Sequence, residues 1–256
     1  MSENDIEGKR VHWDDVIASL GLLTRLPLPA RPISDRGGKS AWAYPLAGLA
    51  VGLCGAVALI LANAFGLSAG VAAALGLTAT IMTSGAMHED GLADSADGLW
   101  GGWEKARRLE IMKDSRIGTY GVLALVLSVL ARWSLLVVAI QAGAGASALL
   151  AAAMISRAPM VALTVWLPNA RGEGLSHSVG RSDALPAALA AALAFVAAIA
   201  LIGPAAAPAL IMAFLAAAGV GLVAKAKIGG QTGDILGASQ QLAEIAALAV
   251  IVAMLG

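Results

Sequence analysis

Residues 68–98 read SAGVAAALGLTATIMTSGAMHEDGLADSADG: a long apolar run without a charge, then three aspartates spaced four and three apart. The apolar half is long enough to cross hydrocarbon as a helix, which takes about 20 residues. In the acidic half, at about 100° per residue, Asp90, Asp94 and Asp97 fall within roughly 60° of one another on a helix. Carboxylates crowded on one face repel, and left unpaired they protonate or destabilise the segment. A divalent cation relieves the repulsion, and hard oxygen donors of this kind favour Mg²⁺ or Mn²⁺ over zinc. A solvated acidic helix end is the competing reading; the position of the cluster beside a membrane weighs against it. His88 falls off the aspartate face, so a structural hydrogen bond is expected of it rather than metal ligation.

The rest of the chain repeats the apolar half. Of 256 residues 59% are hydrophobic and 13% charged, with mean hydropathy +0.80, against about 25% charged in soluble domains. Alanine and leucine dominate over aromatics, which suits close helix packing in a membrane. The formal net charge is +0, so no bulk field attracts nucleic acid and none is expected as a partner. The single cysteine, Cys54, sits in an apolar run and reads as a packing residue. Residues 1–14 are polar, which predicts no cleavable signal peptide.

Applied along the chain, the length criterion predicts about seven spans, near 42–66, 68–88, 119–141, 146–168, 185–203, 205–224 and 237–255. Residues Trp13 to Leu23 are too short to span and read as an interfacial amphipathic helix ending at Leu26-Pro27-Leu28-Pro29. The expected fold class is therefore all-α, a polytopic helical bundle in one membrane-embedded domain, 1–256. Residues 1–41 form its interfacial N-terminal segment and 89–118 a catalytic loop.

Charge orients the bundle. Lys9, Arg10, Arg25, Arg31, Arg36 and Lys39 precede the first span; Lys105, Arg107, Arg108, Lys113 and Arg116 lie in the loop 89–118. Arg171 and Arg181 lie in 169–184, and Lys225 and Lys227 in 225–236, whereas the turns near 66–69, 142–146 and 203–206 carry no charge. All charged segments then share one side, which the positive-inside rule makes cytoplasmic, with the N-terminus in and the C-terminus out. A multi-pass protein of the cell (inner) membrane is expected.

Two further elements fall on the charged side. Lys113-Asp114-Ser115-Arg116-Ile117-Gly118 follows a short amphipathic helix near 104–113, and Arg116 offers a planar fork suited to phosphate. The stretch Gly229-Gly230-Gln231-Thr232-Gly233-Asp234 permits a tight backbone path with amides turned to an anion, but lacks the Gly-Lys-Ser/Thr ending of a P-loop. Within the spans, Arg132, Arg157 and Glu244 are costly in hydrocarbon and are expected to face the interior in pairs. Glu244, ten residues after Asp234, could share a cavity with it. Asn169 and His177 read as ordinary polar loop residues.

Carboxylates for a metal, cations for phosphate and a glycine loop together point to phosphoryl or nucleotidyl transfer. A transporter, the rival class, would carry its charges near the bilayer midplane on broken helices.

These residues resemble the cobalamin synthase family, the adenosylcobinamide-GDP ribazoletransferases, over nearly the whole chain. The resemblance rests on Arg25-Leu26-Pro27, Tyr44-Pro45-Leu46-Ala47-Gly48 and His88-Glu89-Asp90-Gly91-Leu92-Ala93-Asp94 with Asp97-Gly98. It continues through Glu110 to Thr119, Ser156-Arg157, Glu173-Gly174-Leu175 and Gly229 to Asp234. Glu89 stands where the family pattern has an apolar residue.

The resemblance implies the last step of cobalamin nucleotide-loop assembly: adenosylcobinamide-GDP is joined to α-ribazole, or its 5′-phosphate, with Mg²⁺ (Mn²⁺ as substitute), releasing GMP. By similarity Asp90, Asp94 and Asp97 hold metal and diphosphate, with Asp114 and Asp234 as further catalytic carboxylates and the base unassigned. Lys113, Arg116, Arg157, Gly229, Gly230, Gln231 and Thr232 are the expected substrate contacts. Partners are these small molecules and the lipid bilayer; a homo-oligomer stays open. A CDP-alcohol phosphotransferase is the nearest alternative, but Gly101-Gly102 stands where its pattern needs Ala-Arg.

Overall fold

A computed structural model describes residues 11–28 and 36–255; Lys9, Arg10, Pro29 and Arg31 lie outside them. Helix α1 (Trp13–Leu23) has the bounds expected of the interfacial helix. Asp15 fastens it: fully buried, it accepts from Arg36 Nε and Trp42 Nε1, both at 2.8 Å. That ties α1 to the 3₁₀ turn Gly37–Ala43 and through it to α2 (Tyr44–Ala64), which opens on Pro45, where a missing N–H costs nothing. On α2, a Cβ at Gly52 would lie 3.2 Å from Ala153 Cβ, so small residues let α2 settle onto α7 (Gly145–Ile155).

Helix α3 (Ala69–Ser84) is capped by Ser68 and ends at Gly85 in the left-handed region. Then come α4 (Met87–Gly101), α5 (Lys105–Ile111) and α6 (Thr119–Gln141). The stretch expected as one span near 146–168 is two helices, α7 and α8 (Ala158–Trp166), with a break at Ser156–Arg157 just before Pro159. The short α9 (Leu175–Val179) leads to α10 (Ala184–Ile202), the 3₁₀ turn Gly203–Ala205, α11 (Ala206–Ile228) and α12 (Gly233–Ala253).

The protein is an all-α, multi-pass membrane protein. By length and composition 5 helical stretches can cross a membrane, or 6 if the bent pair α3 and α4 counts as one. The run near 68–88 departs from the expectation: it is a shorter helix whose continuation turns by 86°. The stretch α10 to α11, 45 residues long, is interrupted at Gly203–Ala205, where the turn between two spans was expected. Its arms fold back on each other: Ala198 shares a core with Ala206 and Ala209, and Ala190 and Ala194 share one with Ala217. Alanines at helical spacing bury fully there, allowing backbones to approach closely.

The two ends of the bundle differ in character. The uncharged turns near 142–146 and 203–206 meet the end of α12 around Ala144, Pro204 and Met254. At the opposite end Lys227 Nζ donates to the Leu99 carbonyl and Arg108 Nη1 to the Lys227 carbonyl, at 2.7 and 2.9 Å. The segments 89–118 and 225–236 therefore lie side by side, as the shared-side reading requires.

Between the ends runs a buried polar chain. Arg132 Nη1 pairs with Glu89 at 3.0 Å and with Glu244 at 3.5 Å. Gln241 donates to Glu89 at 3.1 Å, while Gln240 donates to Glu244 at 2.6 Å and to Ser156 at 2.9 Å. Charges in this position need partners, and Arg132 and Glu244 have them. Arg157 is compensated at longer range: buried, it lies within electrostatic reach of Glu244 and Glu89, while its Nη1 donates to the Ala153 carbonyl at 2.6 Å, one turn earlier on its own chain.

Candidate active site

The aspartate helix owes its position to glycine twice. Gly85 and Ala86 both adopt positive φ, 66° and 56°, and Ala86 is the only non-glycine to do so among the described residues. These two left-handed residues swing α4 away from α3 and across the end of the bundle. Gly91 then lets α4 lie on α12: a Cβ there would fall 2.9 Å from the Asp234 carbonyl oxygen and 3.2 Å from Gly237 Cα. No larger residue allows that approach, which sets Asp90 beside Asp234.

Asp97 is turned elsewhere. Its Oδ2 accepts the Gly118 N–H at 2.7 Å and its Oδ1 the Gly121 N–H at 2.9 Å. These amides belong to the first turn of α6, whose N–H groups have no helical partner and favour a negative charge. A Cβ at Gly118 would stand 2.5 Å from Asp97 Oδ1, and one at Gly121 would also strike the carboxylate. The glycines of the Ile117-Gly118-Thr119-Tyr120-Gly121 run thus form a cradle for Asp97, which docks α4 on α6.

Asp234 stands in the first turn of α12. Thr232 caps that helix, accepting the Ile235 N–H at 3.3 Å, and its hydroxyl donates to Asp234 Oδ2 at 3.1 Å. Arg171 Nη2 donates to the same oxygen at 2.9 Å. The glycine loop braces this geometry. The Gln231 N–H donates to the Pro168 carbonyl at 2.9 Å and the Ala170 N–H to the Gln231 carbonyl at 2.8 Å, the isolated parallel bridge of Asn169 with Gln231. Gln231 Oε1 takes a hydrogen bond from Ser176 at 2.7 Å. The Gln231 amide, expected to face an anion, is thereby spent on the neighbouring loop. Gly229 closes α11 in the left-handed region at φ 77°.

These elements enclose a cavity of about 180 Å³ whose wall includes Asp90, Arg171, Thr232 and Asp234, together with His88, Asn169 and Glu173. Its apolar side is built by Leu22, Leu23, Met87, Met160 and Leu236. Asp94 lies outside this lining, half-buried, within electrostatic reach of Asp90, Asp234, Asp97 and the opposing Arg171. His88 is buried in the wall, and among the described residues its Nε2 has no hydrogen-bond partner.

The remaining expected residues divide by position. Lys113 pairs with Glu173 at the cavity rim. Asp114 and Arg116 pair with each other at 2.7 Å, and the guanidinium holds the Asp114 carboxyl down to about 2. Neither contributes to the cavity wall, nor does Arg157, which is buried among helices, or Glu244, which belongs to the Arg132 chain instead of sharing a cavity with Asp234. Arg171 is the residue that sequence reasoning missed, counted only as an orienting charge. The available signal was an arginine two residues before Glu173-Gly174-Leu175, on the aspartates' side of the membrane.

Among the described residues no group of three or more His, Cys, Asp or Glu side chains is assembled as a metal site. The donor set is nonetheless all oxygen, from Asp90, Asp94, Asp234 and the Thr232 hydroxyl. Mg²⁺ typically takes one or two carboxylates and completes its shell with water and substrate phosphates. The residues present fit that mode of binding.

Fold and cavity first define a class: a multi-pass helical membrane protein whose acidic helix opens on a cavity at the charged end of the bundle. Within that class the chain belongs to the cobalamin-5-phosphate synthase family, which residues 15–252 match. It is similar to the adenosylcobinamide-GDP ribazoletransferase of Mesorhizobium japonicum, 46% identical over 239 residues covering 93% of this chain and 92% of the relative. Proteins of the same name from Azorhizobium caulinodans and Bradyrhizobium diazoefficiens are 45% and 43% identical, over 91% and 93% of this chain and 93% of each relative. No solved structure matches the chain.

Proposed function

We propose that this chain performs the reaction for which those relatives are named, the joining of adenosylcobinamide-GDP to α-ribazole or its 5′-phosphate. A free hydroxyl on the ribose ring of the ribazole, available whether or not the 5′-position is phosphorylated, bonds through its oxygen to the phosphorus that bears adenosylcobinamide; the bond from that phosphorus to the bridging oxygen breaks, and GMP leaves with the bridging oxygen. The observation that carries the site assignment is the Gly91–Asp234 contact, which puts Asp90, Asp234 and Arg171 on one cavity wall.

Each residue then has a task. Asp90 and Asp234 present carboxylate oxygens at the cavity, suited to receive the proton that the attacking hydroxyl loses. Asp94 adds negative charge behind them, and Asp97 fixes the helix that carries all three. Arg171 supplies a fork for phosphate oxygens. Lys113 and Glu173 tie the rim. A bound Mg²⁺, held by the two cavity carboxylates Asp90 and Asp234, would neutralise charge on the diphosphate. The cavity wall draws on the segments before α2, after α3, after α8 and before α12; the positive residues these segments carry favour the cytoplasmic face of the cell membrane for this end of the bundle.

The test follows GMP release from adenosylcobinamide-GDP by purified protein in nanodiscs. Release should require α-ribazole and should stop with chelator and resume with Mg²⁺. Release without acceptor would make the protein a hydrolase, and release indifferent to chelator would remove the metal from the account.

A further inference from the structure

The acidic end of the cavity already holds a cation of its own. Arg171 Nη2 lies 2.9 Å from Asp234 Oδ2, with the two side chains 13% and 21% exposed. Asp94 feels three neighbouring carboxylates, and Arg171 is the cation set against them. Among the described residues Arg171 Nε is buried with no hydrogen-bond partner, so the guanidinium keeps an unused donor at the cavity wall. The residue is carried by a loop rather than a helix, and that loop has left-handed glycines at Gly174 and Gly180 (φ 97° and 78°). Gly172 and Gly174 meet no neighbour within 4 Å of a built Cβ, so the segment beyond Arg171 is not wedged in place.

An arginine in this position competes with any divalent cation for Asp234. It is also the group best shaped to receive a diphosphate that arrives with that cation, since its planar fork matches two phosphate oxygens. We propose that Arg171 is an internal counter-ion, paired with Asp234 in the ligand-free protein and transferred to a substrate phosphate when a divalent cation takes its place. The inference rests on the diphosphate reading above and adds an exchange of partners to it. Asp234 is neutralised before and after binding, so the acidic helix is never left uncompensated next to α12.

Competition and phosphate binding have opposite signatures, which makes the exchange testable without turnover. Mn²⁺ is titrated into the purified full chain without nucleotide, and free Mn²⁺ is read by electron paramagnetic resonance. Arg171→Gln should bind Mn²⁺ about tenfold more tightly than wild type, the scale of a typical coupling between two ligands, and the gain should vanish in an Asp234→Asn background. The same variant should bind pyrophosphate, in the presence of Mn²⁺, about tenfold more weakly. Arg171→Lys, which keeps the charge and loses the fork, should keep wild-type Mn²⁺ affinity and still bind pyrophosphate weakly.

Mn²⁺ affinity that is unchanged or reduced in Arg171→Gln overturns the proposal, as does a gain that survives Asp234→Asn or an absence of Mn²⁺ binding in every variant. If wild type releases no GMP while the opposite shifts are present, the reaction reading fails and the counter-ion stands. If wild type turns over and the shifts are missing, only the counter-ion fails.

Discussion

Gly91 and Gly237 face each other where the aspartate helix crosses the last helix, each glycine's built Cβ lying within 3.3 Å of the other's Cα. That crossing brings Asp90 to Asp234 and leaves no room for a side chain at Gly91. Gly91→Ala places a methyl 2.9 Å from the Asp234 carbonyl oxygen, and backbone cannot yield as a side chain does. The expected cost is about 1–3 kcal/mol of stability with a larger loss of turnover, read from thermal unfolding in detergent alongside GMP release. Gly237→Ala, whose nearest contact is 3.3 Å, should be milder. Wild-type behaviour of Gly91→Ala would mean that the crossing is loose.

The aspartates of one helix separate by role. Asp97 accepts two α6 amides and Asp94 has no such tie, so Asp97→Asn should lose about 1–3 kcal/mol of stability while Asp94→Asn unfolds near the wild-type temperature. Both should lose turnover, Asp94→Asn completely. Equal thermal midpoints for the two variants would refute the division.

The buried chain around Arg132 supports the same helix one residue before Asp90. Arg132→Met strips Glu89 and Glu244 of their shared cation, and leaving buried charge unpaired costs about 3–5 kcal/mol. A lower yield of folded protein and a depressed thermal midpoint are expected. An unchanged midpoint would show that the carboxylates are satisfied some other way.

On the surface, Arg116 depresses the Asp114 carboxyl from 3.8 to about 2. A carboxyl lowered in the folded state stabilises above its unfolded value, and that contribution is lost as pH falls through the folded value. The difference in thermal midpoint between wild type and Arg116→Gln should therefore be constant above about pH 5 and shrink below about pH 4. The difference itself should be small, since the pair is exposed. A difference that widens on acidification would contradict the pairing.

Much of this was legible because the signals were local. Helix α1 ends where a polar-to-proline change marks it, α6 spans the expected 119–141, and the shared location of charged segments follows from charge alone. The turn at Gly85–Ala86 was not legible, because an apolar run gives no sign of two left-handed residues. The break at Ser156–Arg157 was hidden by the same uniform hydropathy. In the site, helical spacing grouped Asp90, Asp94 and Asp97 on one face. Their division between cavity and α6 cradle depends on which neighbour each one meets, and spacing carries no information on that. Gly91 and Arg171 escaped notice for a related reason: a close approach and a cross-loop ion pair exist only once distant segments are assembled.

The central claim is that the Asp90–Asp234 cavity transfers adenosylcobinamide phosphate. Its most direct measurement is product formation by wild type and Asp94→Asn reconstituted side by side in nanodiscs with adenosylcobinamide-GDP, α-ribazole and Mg²⁺. Cobamide and GMP in equal amounts from wild type, and neither from a well-folded Asp94→Asn, is the predicted result. Well-folded wild type that yields no cobamide, or an Asp94→Asn that yields as much as wild type, would contradict it.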